Sequence, residues 1–394
     1  MTLFGYGKTT KAIAKKFKNC DIFDDNFKEI STDEFGNRLI PSSLFDPSKS
    51  SLEVISPGIA PNHPLAQQAN NLISEYDLFA NKMPYSIWIS GTNGKTTTTK
   101  MVGELLKGEK SSIGGNVGVP LAELDPDDVI WILETSSFTL HYTNKAKPDL
   151  YILLPVTPDH VSWHGSFANY ESAKLKPLDL IDESGIVIIP EKYKEYPTDA
   201  LKISYKTPQD LAQYFDIDLS KLNIKEPFLI DALLALAVER ITLDKISYDT
   251  INNFKIDKHK IEELKDSKNR VWVNDSKATN IDATIEALKR YQNKKINLIL
   301  GGDDKGADLS RLFEFLENLN VEVFAIGKNA NKLIKNIKKP SHECKTLQNA
   351  VKEIDKVHTI HDIALLSPAA ASLDQFDSYI QRGEKFIKYI NDLS

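Results

Sequence analysis

The feature that most constrains the fold is an alternation of short apolar runs with amphipathic helical stretches along almost the whole chain. The apolar runs that predict strands include 86–90, 129–133, 150–154, 185–189, 271–274, 296–300 and 321–326. The helical patterns include 96–106, 231–240, 281–290 and 309–316. Strands that alternate with helices form crossover units, so the pattern predicts an α/β protein with largely parallel sheets.

Two breaks in this alternation divide the chain. One lies near 81–85, where a helical stretch gives way to a fresh strand just after Pro84, and the other lies near 255–259, between two complete strand-helix series. A chain of 394 residues has room for two to four domains at about 100–200 residues each. We predict three domains, covering 1–82, 83–256 and 257–394.

Composition and charge narrow the class of partner. The net charge of −6 argues against a nucleic-acid partner, because phosphate recognition favours a basic surface. Two cysteines without metal-ligand spacing indicate a reducing compartment. The chain starts without a basic, apolar leader, and no run reaches about 18 apolar residues, so we expect a cytoplasmic protein with no membrane partner.

The strongest local motif is a glycine loop between a strand and a helix, Gly91-Thr-Asn-Gly94-Lys95-Thr96. Glycines allow backbone N–H groups to turn toward phosphate oxygens, Lys95 can reach the outer phosphates, and Thr96 can offer its hydroxyl to Mg²⁺. The general P-loop pattern has a further glycine where this chain has Ile89. The alternative is a glycine turn that caps a helix and leaves Lys95 exposed.

Three ionisable residues follow this loop at informative positions. Glu134 ends an apolar strand and is placed to hold Mg²⁺, although it is equally suited to capping a strand end. His160 follows the next apolar strand and is a candidate for metal or phosphate contact, against a purely structural role. Lys174 lies in a helical pattern, where a lysine is usually exposed to solvent.

Three polar loops follow strands in the last third of the chain, at 274–280, 301–308 and 367–376. Ligands of open α/β sheets bind beyond the carboxyl ends of strands, so these loops predict a binding site. Lys277 and Lys305 supply cations suited to carboxylate or phosphate groups. Capping of the following helices by Asp275 or Ser372 is the alternative explanation for these polar residues.

Together these segments resemble the Mur ligase family over essentially the whole chain. The ordered motifs are Gly-Thr-Asn-Gly-Lys-Thr (91–96), Glu-Thr-Ser-Ser-Phe (134–138), Asp-His (159–160), Ala-Lys (173–174), Asn-Asp-Ser-Lys-Ala-Thr-Asn (274–280), Gly-Gly-Asp-Asp-Lys-Gly (301–306) and Ser-Pro-Ala-Ala-Ala-Ser (367–372). Two features are typical of the member that adds D-glutamate to UDP-N-acetylmuramoyl-L-alanine: the stretch 274–280, and the stretch 367–376 followed by Gln-Arg-Gly-Glu at 381–384. The chain also lacks the Asp-Asn-Pro-Arg motif of the members that add diaminopimelate or lysine.

The resemblance implies a fold and a reaction. The fold would combine a Rossmann-like N-terminal domain, a central P-loop ATPase-like domain and a Rossmann-like C-terminal domain. The reaction would use ATP to activate a carboxylate as an acyl phosphate, which the amine of D-glutamate attacks. The cofactors would be ATP, Mg²⁺ at two sites, and a carbamylated lysine at Lys174. The protein would act as a monomer on small-molecule substrates.

The resemblance also implies site residues. The catalytic residues would be Lys95, Glu134, His160 and Lys174, and the metal ligands would be Thr96, Glu134, His160 and the carbamate on Lys174. ATP would contact Gly91, Thr92, Asn93, Gly94, Lys95, Thr96, Thr97, Asp231, Lys260, Asp275 and Lys277. The UDP substrate would contact Gly7, Lys8, Thr9, Asp24, Gly58, Asn116 and His160. D-Glutamate would contact Thr279, Lys305, Ser372 and Tyr379.

Two departures from the family pattern and two alternatives accompany this prediction. Asp231 stands where the family has an adenine-contacting asparagine, and Lys260 replaces an arginine. One alternative is a Mur-type ligase with another amino-acid specificity, such as a folylpolyglutamate synthetase, but the turns at 5–9 and 56–59 argue for a UDP-binding first domain. The other is a nucleotide-binding regulator without ligase chemistry.

Overall fold

A computed structural model describes residues 1–304 and 306–393, and within them three six-stranded sheets are flanked by helices. Contacts between Cα atoms divide the chain into two compact units, Met1–Phe254 and Lys255–Ser394. The first unit holds two of the sheets and the second unit holds one. The predicted boundary at 82/83 lies between these first two sheets and stays a prediction, as does the boundary at 256/257.

The first sheet is small and mostly parallel. Its strands are β1 (Thr2–Phe4), β2 (Asp21–Asp24), β3 (Ser31–Thr32), β4 (Arg38–Pro41), β5 (Glu53–Ile55) and β6 (Leu72–Ile73), and its helices are α1 (Lys8–Phe17), α2 (Pro64–Gln68) and α3 (Glu75–Phe79). The strand order is β3-β4-β2-β1-β5-β6, and only the β3–β4 pair is antiparallel. Because β1 pairs in parallel with β2 and β5, the turns after these three strands emerge at one edge.

The second sheet is entirely parallel. Its strands are β7 (Tyr85–Ser90), β8 (Ser111–Gly115), β9 (Ile130–Glu134), β10 (Leu150–Leu153), β11 (Ile186–Pro190) and β12 (Leu201–Tyr205). Its helices are α4 (Lys95–Leu105), α5 (Ser137–Tyr142), α6 (Val161–His164), α7 (Phe167–Leu180), α8 (Pro208–Phe215), α9 (Leu229–Leu243) and α10 (Tyr248–Asn252). The order is β12-β11-β10-β7-β9-β8. The register pairs Ile89 with Glu134 and Ser90 with Leu153, which brings the loops after β7, β9 and β10 together.

The third sheet forms the core of the second unit. Its strands are β13 (Glu262–Lys265), β14 (Val271–Asn274), β15 (Ile296–Gly301), β16 (Val321–Ile326), β17 (Ser341–Lys345) and β18 (Ile363–Leu366). Its helices are α11 (Ile281–Tyr291), α12 (Ser310–Glu317), α13 (Ala330–Asn336), α14 (Leu347–Val357) and α15 (Tyr379–Asn391). The order is β13-β14-β18-β15-β16-β17, with only β13 antiparallel to its neighbour. The loops after β14, β15 and β18 therefore share one edge.

The prediction of an α/β protein with largely parallel sheets is confirmed. Each of the seven predicted strands coincides with an observed strand to within one residue at either end, and the predicted helix 231–240 lies inside α9. Both cysteines, Cys20 and Cys344, are buried free thiols. In the part of the chain that the structure describes, no helix is both long and apolar enough to cross a membrane.

Candidate active site

The glycine loop between β7 and α4 has a conformation that other residues would strain. Gly91 has φ = 143° and Gly94 has φ = 85°. A Cβ atom on Gly91 would lie 2.5 Å from Cβ of Leu154, and one on Gly94 would meet the carboxylate of Asp231. The loop is thus packed against its neighbours on two sides, and it leads directly into the N-terminus of α4, where the helix dipole favours an anion.

The amine of Lys95 lies over this loop. Its Nζ donates to the carbonyl oxygens of Gly91 at 2.9 Å and Thr92 at 2.8 Å. Thr96, in the first turn of the helix, is half-buried, and Asn93 is exposed. A cation and a hydroxyl therefore stand at the same helix N-terminus, an arrangement suited to phosphate groups.

Thr92 contributes to the loop in another way. Its hydroxyl donates to the carbonyl of Thr157 at 3.0 Å, accepts from the Thr157 amide at 2.9 Å and lies 2.9 Å from the hydroxyl of Tyr170. The side chain is 6% exposed. Thr92 thus ties the glycine loop to the loop after β10, a role that its position in the motif did not predict.

Glu134 ends β9 with its carboxylate buried at 2% exposure. Oε1 accepts a hydrogen bond from Nδ2 of Asn116, whose backbone N–H donates to the Glu134 carbonyl at 2.9 Å. Oε2 is buried and has no hydrogen-bond partner among the described residues. A buried carboxylate oxygen without a partner is costly, and a bound cation would satisfy it. The residue therefore suits the predicted metal ligand.

Lys174 lies in α7 and is buried rather than exposed to solvent, with 1% of its surface accessible. Its Nζ donates to the Gly91 carbonyl at 2.8 Å and to Oγ of Ser90 at 3.3 Å, and it lies 4.9 Å from the centre of the Tyr170 ring. Burial lowers the pKa of the Lys174 ammonium well below its usual range, and the nearby Lys95 cation acts in the same direction. Burial therefore favours the neutral, nucleophilic form of this amine, which lies against the glycine loop.

His160 follows β10 on a loop at the rim of this cluster. Its backbone is left-handed, with φ = 51°. Nε2 lies 3.7 Å from Oδ2 of Asp159, and the ring meets Phe138 edge-to-face at 4.8 Å. The side chain is 47% exposed, so the imidazole is accessible to a ligand.

Asp231 lies against the glycine loop, in the first turn of α9, and is 4% exposed. Its Oδ1 accepts from the hydroxyl of Thr98 at 3.3 Å and would meet any side chain placed at Gly94. A carboxylate here is placed to stabilise the N-terminus of α4.

The rim of the first sheet contains the predicted UDP contacts. Asp24, at the end of β2, accepts from the backbone N–H of Tyr6 at 2.7 Å and of Asn26 at 2.8 Å. Gly7 precedes α1, and Nζ of Lys8 donates to the carbonyl of Gly118 at 2.6 Å. The Asp24 carboxylate therefore organises the glycine turn that begins α1. Thr9 is half-buried in that helix, and Gly58 lies in an exposed turn after β5.

The turn that contains Gly58 is held by two aromatic side chains from the second sheet. The hydroxyl of Tyr142 donates to the carbonyl of Ile59 at 2.9 Å. The indole Nε1 of Trp163 lies 3.4 Å from the carbonyl of Gly58, and the indole ring lies 4.5 Å from the ring of Phe138. The sequence did not single out Trp163, because its partners are distant in the chain.

In the second unit, Asp275 follows β14 and is 6% exposed. Its Oδ2 accepts from Oγ of Ser367 at 2.8 Å, and its Oδ1 accepts from the Ile261 amide at 3.2 Å. Burial raises the pKa of this carboxyl to about 7. The ammonium of Lys277 lies 5.7 Å from the centre of the Tyr379 ring, so two predicted ligand contacts are neighbours.

Arg382 organises the same loops, although no role was predicted for it. Its guanidinium is 1% exposed and donates to Oγ of Ser276 at 2.9 Å, to the carbonyl of Ser276 at 2.7 Å and to the carbonyl of Ala370 at 3.1 Å. It thereby links α15 to the loops after β14 and β18. Its signal in the sequence was its place in the Gln-Arg-Gly-Glu segment at 381–384.

The remaining predicted residues of the second unit are placed as follows. Ser372 is buried at 4% exposure, and Thr279 is exposed. Lys260 forms an ion pair with Asp257 at 3.5 Å. Lys305 lies outside the described residues. Among the described residues, no cluster of three or more His, Cys, Asp or Glu side chains is placed to hold a metal ion.

Two segments of the chain match family models of known domains. Residues 89–213 match the Mur ligase middle domain, and residues 261–370 match the Mur ligase glutamate ligase domain. The chain is 54% identical over 400 residues to the UDP-N-acetylmuramoylalanine–D-glutamate ligase of Campylobacter jejuni strain 81116, with both chains fully covered. It is 45% identical over 417 residues to the enzyme of that name from Helicobacter pylori strain HPAG1, covering 99% of each.

Solved structures share the fold at low sequence identity. The crystal structure of MurF ligase from Thermotoga maritima in complex with ADP aligns with a TM-score of 0.59 at 14% identity, over 88% of this chain and 96% of that one. A pseudomurein peptide ligase type C from Methanothermus fervidus aligns with a TM-score of 0.55 at 15% identity, over 99% and 100%. From the full-length relatives and the two domain matches together, we conclude that the chain belongs to the Mur ligase family.

Proposed function

We propose that this protein is an ATP-dependent ligase that adds D-glutamate to UDP-N-acetylmuramoyl-L-alanine in peptidoglycan precursor synthesis. Two full-length relatives with 54% and 45% identity carry the name of that enzyme. The observation that supports the chemistry is the buried amine of Lys174, which donates to the glycine loop. The neighbouring strand β9 ends in Glu134, whose buried Oε2 has no hydrogen-bond partner among the described residues.

The reaction has two chemical steps. The terminal carboxylate of the alanyl group attacks the γ-phosphorus of ATP, which gives an acyl phosphate and releases ADP. The amine of D-glutamate then attacks the acyl carbon, the amine loses a proton, and the tetrahedral intermediate expels inorganic phosphate. Catalysis of such steps depends on positioning and charge stabilisation.

The residues of the glycine loop suit the first step. We assign the ATP phosphates to the N–H groups of 91–97 and to the ammonium of Lys95, which already lies over the loop. Thr92 holds this loop against the loop after β10, so its contribution is through the backbone. In the second unit we assign the nucleotide to Lys260, Asp275 and Lys277.

The residues around Glu134 suit Mg²⁺, because its Oε2 is a buried acceptor without a partner. Glu134, His160, Thr96 and a carbamate on Lys174 would hold the two ions, a donor set dominated by oxygen. Bound Mg²⁺ supplies positive charge that offsets the negative charge of the phosphates. The neutral amine of Lys174 is the form that reacts with CO₂, and the product is an anion.

The two other substrates are assigned to sheet edges. The UDP substrate is assigned to Gly7, Lys8, Thr9, Asp24 and Gly58, with its muramoyl-alanine portion near Asn116 and His160. D-Glutamate is assigned to Thr279, Lys305, Ser372 and Tyr379 in the second unit. These assignments make the ranges 1–82, 83–256 and 257–394 the UDP-substrate, ATP and amino-acid domains. We further propose a monomer that acts in the cytoplasm, consistent with two unpaired, buried thiols.

The test is phosphate release by the purified protein with ATP, Mg²⁺, UDP-N-acetylmuramoyl-L-alanine and one amino acid at a time. D-Glutamate is compared with L-glutamate, meso-diaminopimelate and L-lysine. Release that requires both the UDP precursor and D-glutamate is the expected result. Release with another amino acid would overturn the specificity, and ATP binding without release for any pair would favour a regulator.

A further inference from the structure

We propose that Trp163 is a specificity-determining residue whose indole ring binds the N-acetylmuramoyl portion of the UDP substrate. This inference rests on the proposed function and assigns a contact to a residue that no motif marked. The indole lies between the turn after β5, which is assigned to the UDP substrate, and the region of Glu134 and Lys174, where the reaction is assigned.

The position of Trp163 is fixed by contacts on opposite sides. Its Nε1 faces the carbonyl of Gly58 at 3.4 Å, in the turn after β5 of the first sheet. Its ring lies 4.5 Å from that of Phe138, only four residues after Glu134, with an interplanar angle of 30°. A substrate that extends from the edge of the first sheet to Glu134 and Lys174 therefore passes this ring.

The indole contacts the rings of Phe138, His141, Tyr142 and His164 and packs against the apolar cluster of the first sheet, but part of its surface remains exposed. Trp163 and Phe138 are both only partly buried, and the exposed His160 packs edge-to-face on Phe138. Behind them, His164 is buried and lies 4.5 Å from the indole. The rings of Trp163, Phe138 and His160 thus form an aromatic surface that His164 supports from behind and that is partly accessible to solvent.

The chemistry of the substrate fits this surface. A hexose ring presents C–H groups on its faces, and the acetamido, lactyl and alanyl groups add methyls, so an aromatic platform binds it through dispersion and burial of apolar area. The indole N–H faces the Gly58 carbonyl and one face of the ring lies against Phe138, so the exposed remainder of the ring is the surface that contacts the sugar. Uracil also stacks on aromatic rings, so UDP alone is the control that separates a sugar contact from a base contact.

Tryptophan fluorescence tests the contact without catalysis. The chain has four tryptophans, and Trp88, Trp131 and Trp272 are buried at 4% exposure or less, so Trp163 is the one placed to respond directly to a bound ligand. We expect UDP-N-acetylmuramoyl-L-alanine to change the emission of the wild-type protein, UDP alone to leave it unchanged, and Trp163→Phe to abolish the change. An equal change with UDP, or one that persists in Trp163→Phe, would overturn the proposal.

Kinetics separate a ligand contact from a structural role. In Trp163→Leu, which removes the aromatic face, we expect KM for the UDP substrate to rise at least about fivefold, with KM for ATP within twofold. Trp163→Phe keeps a ring and loses the bond to Gly58, and Tyr142→Phe loses the matching bond to Ile59. Both should keep KM for the UDP substrate within about threefold. Equal increases in all three variants would show that the residue only holds the turn.

The two proposals fail differently. If wild-type protein releases no phosphate and shows no binding of UDP-N-acetylmuramoyl-L-alanine, the proposed function is wrong. If wild-type protein is active and Trp163→Leu retains its KM for the UDP substrate within twofold, only the role of Trp163 is wrong. Thermal unfolding of each variant shows whether it is folded, and if Trp163→Leu is not, the fluorescence titration of Trp163→Phe against wild type decides the question.

Discussion

Replacing Lys174 by methionine should remove activity while leaving the fold nearly as stable. Methionine has a similar length and fills the same buried space. The amine donates to Gly91 O and Ser90 Oγ, and each acceptor group keeps another partner: Gly91 O still accepts from Lys95 at 2.9 Å, and Ser90 still donates to the Thr135 carbonyl at 2.9 Å. The substitution therefore leaves neither the Gly91 carbonyl nor the Ser90 hydroxyl without a hydrogen-bond partner.

The magnitude follows from this accounting. Two hydrogen bonds of about 1 kcal/mol each are lost, but the burial of a polar amine is removed as well. We expect Lys174→Met to change the free energy of unfolding by no more than about 1 kcal/mol, which shifts Tm by only about 1 °C in a chain of 394 residues. Loss of the anion that the carbamate would supply should lower kcat at least about a hundredfold.

The assay compares D-glutamate-dependent phosphate release with thermal unfolding. The matched control is Lys176→Met, two residues along the same helix, where the amine instead donates to the His141 carbonyl at 2.9 Å and to Asn144 Oδ1 at 2.7 Å. It should keep activity within about twofold. Added bicarbonate should not restore Lys174→Met. A Lys174→Met protein with more than a tenth of wild-type activity would refute the catalytic role, and a loss of stability above about 3 kcal/mol would refute the packing argument.

Three further predictions follow from the same contacts. Glu134→Gln, which keeps a partner for Asn116 but removes the charge, should raise the Mg²⁺ concentration for half-maximal activity at least about tenfold; an unchanged Mg²⁺ titration would contradict the ligand assignment. Thr92→Val leaves the partly buried Thr157 amide without its side-chain partner and should cost about 1–3 kcal/mol in urea unfolding, whereas Thr92→Ser should cost less than about 1 kcal/mol. For Asp275, burial raises the pKa to about 7, from about 4 in the unfolded chain. Between these two pH values the folded state keeps a proton that the unfolded state releases. The free energy of unfolding therefore falls as pH rises from about 4 to about 7, by at most about 1.4 kcal/mol per pH unit. Asp275→Asn removes this pH-dependent contribution. The free energy of unfolding of the variant minus that of wild type, measured with urea, should therefore be greater at pH 7.5 than at pH 5. An equal difference at both pH values would exclude the raised pKa of Asp275.

The sequence predicted the central strands well because their signal is local. Strands such as β7, β9, β10 and β15 are buried on both faces and are therefore continuous apolar runs. The edge strands β8, β12, β13 and β17 were not among the predicted strands. They carry polar residues that alternate with apolar ones or face solvent, so their patterns resemble those of loops.

The candidate site shows where local reasoning ends. Lys174 was expected on a solvated face from its helical pattern alone, and only the family motif marked it as functional. Its burial depends on a hydrogen bond to Gly91, 83 residues earlier in the chain. Thr92 was predicted to bind ATP, but its hydroxyl is engaged with Thr157, 65 residues later. Such contacts depend on which strands become neighbours, and composition within a motif does not reveal that.

The burial of both cysteines has a practical consequence for measuring motion in this enzyme. Burial raises the pKa of the Cys344 thiol to about 11 and also raises that of Cys20, so neither forms the reactive thiolate readily at neutral pH. A cysteine introduced at Lys107 in the first unit or Lys338 in the second, both with 77% exposed side chains, would be labelled selectively in the otherwise natural chain. A fluorescent dye pair at these two positions would report the distance between the units while substrates bind and product leaves.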